Sequence, residues 1–316
     1  TWIMLILLTP IPTWYRVLRL LWHLSQANIV FKSGGGNING KSSKFPVLSL
    51  ARKWNKPIIV VSQTIGPLGP NHRSVLQWQL ENALWIGVRD RSFSRRQLGL
   101  NVHFTMDDAA FLTPQHNAVT CDIVASRKNL VGISYSKLKN HAPDRFKTLI
   151  ETTRKITAEL NGTAVLIPHH GPYGRGDLKI IATIKAQWPD PNVIALTKIQ
   201  PAKAVLALTG SMRLVLATRY HAVIFGLTMG VPTVGIYSDA YTEAKLRSAY
   251  EQFGMEPAVI SITEVETELI PLVKKVLSAG SGLKDAVERT LQERLDENLA
   301  PYRLIKGYLG YLRNNE

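Results

Sequence analysis

Short, apolar, β-branched runs recur along the chain, separated by longer stretches in which apolar residues return every three or four positions. The runs ANIVF (27–31), KPIIVVS (56–62), LWIGV (84–88), NLVGIS (129–134), TAVLIP (163–168), RLVLA (213–217) and PTVGIY (232–237) read as strands covered on both faces. Between them the spacing predicts helices over 14–25, 70–83, 144–160, 177–187, 202–208 and 221–229. The opening TWIMLILLTPIP is shorter than the ~18 residues a bilayer span needs. It has no basic leader or small-residue cleavage site and is cut by Pro10 and Pro12, so it reads as a buried strand. The tail from 283 reads as helical, with Pro301 expected to kink or restart it.

Strands alternating with helices imply an α/β fold of parallel sheets with helices on both faces. At 316 residues the chain has room for about two domains. A second strand-helix series starts near Asn129, after the loop-like TPQHNAVTCDIVASRKN. We therefore expect two Rossmann-like, doubly wound domains facing a cleft: 1–115, a linker at 116–128, 129–295, and a C-terminal helix at 296–316 crossing back to the first domain. The chain opens without Met and directly on a strand, so the first domain is expected to be truncated at its start.

Composition narrows the function classes. A chain with 45% hydrophobic and 19% charged residues has the balance of a globular protein outside the membrane. Its single cysteine, Cys121, excludes an intramolecular disulfide framework and a Cys-rich metal site and fits a reducing compartment, so the cytoplasm is expected. The net charge is +15 and uneven: Thr1 to Leu80 hold nine Lys or Arg and no Asp or Glu. Such a field concentrates anions, whether phosphate esters, nucleic acid or an acidic membrane surface.

In open α/β sheets, ligands sit beyond the carboxyl ends of the strands, where helix N-termini offer free N–H groups. After Phe31 comes KSGGGNING, in which Gly35, Gly36 and Asn37 are candidate contacts, although the spacing fits neither a dinucleotide fingerprint nor a P-loop. Gln63 follows the next run, and Arg89 is the first residue beyond LWIGV. Asp107 and Asp108 follow Met106; adjacent carboxylates diverge, so a helix N-cap is the favoured role over acid–base work. His169 and His170 precede a glycine-rich turn that Asp177 would cap into a helix. They lack a third ligand at suitable spacing, so no metal is expected. In LATRYHAVIFGLTMG, Arg219 can clamp an anion bidentately, Tyr220 and His221 open a helix, and His221 brings a proton that titrates near neutrality. The alternative there is a surface arginine beside a hydrogen-bonded histidine. Gly230 would stop this helix, and Tyr237, Tyr241 and Lys245 follow the next strand.

The order ANIVFKSGGGNI, SQTIGP, GVRDRSF, MDDAAFL, LIPHH, LATRYHAVIFGLTMGVPTVGIYS, YTEAKLRSAYEQFGM resembles the polysaccharide pyruvyl transferase family from about residue 27 to residue 255. The resemblance implies a fold like that of the two-Rossmann-domain (GT-B) glycosyltransferases. It also implies transfer of pyruvate from phosphoenolpyruvate onto a sugar as a ketal, with Arg89, Arg219 and His221 at positions that bind the donor. Family members open on a further strand and a Gly-Asp loop that precede the first residue here. The resemblance further implies a sugar or lipid-linked oligosaccharide acceptor and no metal or redox cofactor. His221 would act as general acid or phosphate-orienting donor, with Asp107, Asp108 or His169 receiving the hydroxyl proton. A nucleotide-sugar-dependent glycosyltransferase, with Glu243 near the donor ribose, is one competing reading. A noncatalytic basic module that binds anionic lipid or nucleic acid is the other. No nucleic-acid motif is present, so no nucleic-acid partner is expected, whereas peripheral contact with an anionic membrane at its inner face fits the charge.

Overall fold

A computed structural model describes residues 11–38, 45–91, 93–136, 143–171, 176–280 and 282–313; the side chains of 11–14, 37, 45, 143, 312 and 313 lie outside the described set. The predicted opening strand falls largely on residues outside it. The chain divides into two compact units, one of 1–88, 92–105 and 297–316 and the other of 89–91 and 106–296.

The first unit holds a parallel sheet of β1 (Val30–Lys32), β2 (Gly35–Ile38), β3 (Ile58–Ile65), β4 (Trp85–Val88) and β5 (His103–Phe104), in the order β1-β3-β4-β5 with β2 also on β3. All eight residues of β3 are buried, because it has neighbours on both sides. The strand runs to Ile65, beyond its predicted end, which puts Gln63 inside the strand. Gly35, Gly36 and Asn37, expected in a loop, are in β2, where Gly35 pairs with Gln63.

The second unit holds β6 (Leu130–Ser134), β7 (Thr163–Leu166), β8 (Val193–Ala195), β9 (Leu214–Ala217), β10 (Thr233–Tyr237) and β11 (Val259–Ser261), all parallel in the order β11-β10-β9-β6-β7-β8. Strand residues alternate between two cores: Leu214 and Leu216 face one, and Val215 and Ala217 the other. Burial on both faces explains the continuous apolar runs. From β6 the chain winds outward through β7 and β8, then returns to β9 and continues the other way. The topological switch point therefore lies between β6 and β9, where a doubly wound sheet leaves its crevice. Thr218 N donates to Ser134 O at 3.0 Å and the Thr218 hydroxyl accepts from Ser136 N at 2.7 Å, tying the two strand ends together.

Two local expectations are corrected. Residues 118–126, read as loop-like linker, form the helix Ala118–Ser126, started by a capping box between Asn117 and Thr120; its β-branched residues obscured the helical period. The tail is one helix, Leu283–Arg313, that passes through Pro301 without restarting. The proline ring is buried, so packing offsets the lost donor. The helices Ala240–Gln252 and Val265–Ser278 also form, the first on a capping box of Asp239 and Thr242. Among the described residues no helix is long and apolar enough to cross a membrane.

Candidate functional site

The strand ends flanking the switch point carry the chemistry of the second unit. Beyond β9, Arg219 is the N-cap of the helix Tyr220–Thr228. The helix ends at Gly230, whose φ of +64° is cheap only without a side chain. Small residues let this helix lie close on β10: a Cβ at Gly226 would run into the Thr233 side chain.

Arg219 is held from behind. Its Nε donates to Asp177 Oδ1 at 3.1 Å, and its Nη2 bonds the same oxygen. Asp177 Oδ2 accepts from the backbone N–H groups of His169 and His170 at 3.0 and 2.9 Å. Asp177 was expected to cap its helix; the N-cap is Gly176, and the Asp177 side chain, 1% exposed, fastens the His169–His170 loop to Arg219 instead. Oriented this way, the Arg219 side chain remains 30% exposed. Beside it, His169 Nδ1 is hydrogen-bonded to Ser134 Oγ at 2.8 Å, while its buried Nε2 has no partner. Burial, reinforced by nearby His221, pushes the imidazole down to about 4, so it is neutral at physiological pH.

A second knot forms around Asp107. Arg89, expected to meet an anionic ligand, is only 1% exposed and pairs with Asp107. Its guanidinium lies 4.1 Å from the centre of the Tyr220 ring. The structure thus gives Arg89 a carboxylate partner where a ligand anion was expected. Asp107 is the N-cap of the short 3-10 helix Asp108–Phe111, accepting from Ala109 N at 2.9 Å, while its own N–H donates to Gln252 Oε1 at 2.7 Å. Gln252 Nε2 in turn donates to the Tyr220 hydroxyl at 2.7 Å. Burial alone would raise Asp107, but Arg89 and His221 hold it below the usual carboxylate range. Tyr220, expected to touch substrate, is buried among these partners, and burial pushes its hydroxyl well up.

His221 Nε2 stands 3.8 Å from Asp107 Oδ2, with the side chain 49% exposed. Its pKa is lowered by desolvation, opposed by Asp107 and assisted by Arg89 and Lys245. From the helix Ala240–Gln252, Lys245 Nζ lies 5.2 Å from the Tyr220 ring centre and 5.9 Å from that of Tyr241. Desolvation, with repulsion from Arg89 and Arg219, lowers Lys245 to about 8. Burial raises Tyr241. Glu243, the candidate ribose contact, accepts from Arg247 Nε at 2.9 Å within its own helix.

Arg89, His169, Arg219, Tyr220, His221, Tyr241 and Lys245 therefore gather in the second unit. Gly35, Gly36 and Gln63 form a separate group in the first. Gln63 is fully buried, its amide donating to Val61 O at 3.2 Å and to Ser33 O, which makes it a brace for the Ser33 turn. The Asn37 side chain lies outside the described residues. Sequence reasoning missed Ser134 and Gln252, and it saw Asp177 only as a cap. The one available signal was an acid eight residues after His169 in a glycine-rich turn. Among the described residues, no group of three or more His, Cys, Asp or Glu side chains could hold a metal ion.

Solved structures share this architecture at low identity. Staphylococcus aureus MnaA in its UDP co-structure is 14% identical at a TM-score of 0.57, covering 90% of this chain and 80% of that one. Anabaena HepE in complex with UDP-glucose is 12% identical at 0.58 (92% and 82%). The UDP-GlcNAc 2-epimerase of Methanocaldococcus jannaschii is 12% identical at 0.54 (86% and 80%). The likeness defines a class: an α/β protein of Rossmann-like, GT-B-like domains. No protein of curated function matches the chain in sequence. The family model for polysaccharide pyruvyl transferase matches residues 5–240, and the chain belongs to that family.

Proposed function

We propose that the protein transfers pyruvate from phosphoenolpyruvate to a sugar hydroxyl pair as a ketal, using the β9 end of the second unit as its donor site. The observation that carries this reading is the half-exposed pair Arg219 and His221 at a helix N-terminus, backed by the buried Asp177 and Asp107. A donor with a phosphate and a carboxylate needs cations on two sides. Arg219 supplies one, and Lys245, its Nζ over the Tyr220 ring, supplies the other. The helix N-terminus adds its free N–H groups. Arg89 acts one step back, positioning Tyr220 and Asp107.

The protons balance: one enters at carbon from the His221 imidazolium and two leave the hydroxyls, one returned to the enzyme and one taken up by the departing phosphate. His221 delivers a proton to the methylene carbon, leaving the adjacent carbon electron-poor. One sugar hydroxyl adds to that carbon and gives up its proton. Phosphate leaves with the C–O bonding pair, and a second hydroxyl closes the ketal, releasing a second proton. In this reading His169, neutral with an unpartnered Nε2 and tied through Asp177 to Arg219, receives a hydroxyl proton or donates to the departing phosphate. Which it does depends on the tautomer set by Ser134. The acceptor is a sugar of a cell-surface polysaccharide or of its lipid-linked precursor.

Calorimetric titration with phosphoenolpyruvate and, in parallel, uridine diphosphate tests the proposal. We expect phosphoenolpyruvate to bind the wild type and not Arg219→Ala, with the melting temperature lowered only moderately, because the buried Asp177 loses its cation but keeps the His169 and His170 N–H groups. Binding of the nucleotide alone would overturn the proposal in favour of a nucleotide-sugar-dependent glycosyltransferase. Binding of neither would also overturn it, and a collapsed melting temperature in Arg219→Ala would make that residue structural.

A further inference from the structure

Among the described residues of the first unit, three of the four most exposed large apolar side chains lie on one helix; the fourth, Tyr311 at 66%, is in the C-terminal helix. In the helix Ile11–Gln26, Tyr15 is 65% exposed, Leu18 55% and Trp22 60%. Their i, i+3, i+7 spacing places them on one face. Val17, Leu21 and Leu24 repeat at i, i+4, i+7 on another face, which is half-buried or buried and seats the helix, with Leu24 in the core of the unit. The packed face is thus accounted for, and the outer stripe is additional to it. Arg16, Arg19 and His23 share a third face beside the stripe, with Arg19 Nε donating to His23 Nε2 at 3.3 Å. The helix contains no acidic residue, and the sequence has none before Glu81.

We propose that this helix is a membrane-surface contact that lies flat on an anionic bilayer, with Tyr15, Leu18 and Trp22 in the headgroup boundary and Arg16 and Arg19 against lipid phosphates. Tyrosine and tryptophan with one apolar and one polar end favour that boundary. A moderately apolar stripe flanked by arginines, too polar to span, is the composition of an in-plane interfacial helix. Charge decides between occupants. A second copy of the same face would bring Arg16 and Arg19 against their own kind with no acid on the helix to meet them, whereas an anionic lipid surface supplies the missing charge. The inference does not depend on the chemistry assigned to the second unit.

The test is co-sedimentation of the full chain with vesicles of phosphatidylcholine alone and of phosphatidylcholine mixed with phosphatidylglycerol. We expect binding to the mixed vesicles only, weakened by added salt. Arg16→Gln with Arg19→Gln is expected to lower the partition coefficient about thirtyfold, and Tyr15→Ser with Trp22→Ser about tenfold or more. All four side chains are exposed, so an unchanged melting temperature checks that each variant is folded. Phosphoenolpyruvate titration of the same variants separates failure here from failure of the proposed reaction. Three results would overturn the proposal: no sedimentation of the wild type with mixed vesicles, equal binding by both variants, or concentration-dependent self-association that disappears in Tyr15→Ser/Trp22→Ser without any vesicle binding.

Discussion

Asp107 gives the sharpest test of how the site is supported. Its side chain is 6% exposed and that of its partner Arg89 1%, so each charge depends on the other for most of its lost hydration. Asp107→Asn keeps an oxygen to cap Ala109 N but removes the negative charge. At an effective dielectric constant of about 20, two unit charges ~4 Å apart attract by about 4 kcal/mol. Breaking a buried pair from one side costs roughly 3–5 kcal/mol, because the surviving charge stays buried. The Tyr220 ring under Arg89 returns only ~1 kcal/mol of that. We therefore expect Asp107→Asn to lose about 3–4 kcal/mol in urea unfolding followed by tryptophan fluorescence. Arg89→Met should lose a similar amount. The double variant Arg89→Met/Asp107→Asn carries neither charge and should lose well under the sum of the two single losses, with a coupling of roughly 2–3 kcal/mol. Losses below about 1 kcal/mol in the single variants, or strict additivity in the double, would refute the claim that this pair is a desolvated support.

Lys245, held near 8, is charged at pH 7 and loses its proton as pH rises through about 8; phosphoenolpyruvate affinity should fall about tenfold across that step, one charge-assisted contact being worth ~1.5 kcal/mol, and the calorimetric profile of Lys245→Met should be flat there. His169 has a folded value near 4, below the ~6.5 of an unfolded histidine. The unfolded chain therefore takes the proton first, and stability drains away as pH falls from about 6.5 to about 4, by roughly 3 kcal/mol. In His169→Gln the urea midpoint should lose that part of its pH slope, and an unchanged slope would contradict a buried neutral imidazole. Tyr220→Phe removes the acceptor of Gln252 Nε2, which keeps only Ser248 O at 3.1 Å, and should cost about 1 kcal/mol of stability. Gly226→Ala puts a methyl against Thr233 and should cost roughly 1–3 kcal/mol by prising the helix off β10; an unchanged melting temperature would mean that the two elements are not in close contact.

Much of the architecture could be read directly because strands buried on both faces leave nowhere for polar residues. LVLA at 214–217 and TAVL at 163–166 announce themselves as central parallel strands without reference to anything else in the chain. The helix Ala118–Ser126 did not, since Val, Thr and Ile blur its period and the decisive feature is a cap between Asn117 and Thr120. The site followed the same division. Arg219 and His221 stand out because a charged residue that ends an apolar run has only the strand end to occupy. What each side chain does there is fixed by partners far away along the chain: Asp177 lies 42 residues from Arg219, and Gln252 lies 145 from Asp107. No local period links such pairs.

That gap bears most on Arg89. In sequence it has the same credentials as Arg219, a cation just beyond a buried strand. The two differ only in what the fold does with the nearest acid. Asp107 reaches Arg89 across a fully desolvated contact that leaves the arginine 1% exposed, whereas Asp177 takes one edge of Arg219 and leaves the side chain 30% exposed. A buried acid costs several kcal/mol unless something charged or several N–H groups meet it. Every acid in a glycine-rich or strand-end loop is therefore a claim on some cation, and one cation is spoken for before any ligand arrives. Asp107 and Asp177 were both read as caps, which left two arginines apparently free for a substrate with two anionic groups. Once both carboxylates are counted, Arg219 and Lys245 are the cations we propose for such a substrate, with Arg89 behind them. The test of that division compares titration with unfolding: Arg219→Ala should affect donor affinity more than stability, and Arg89→Met the reverse.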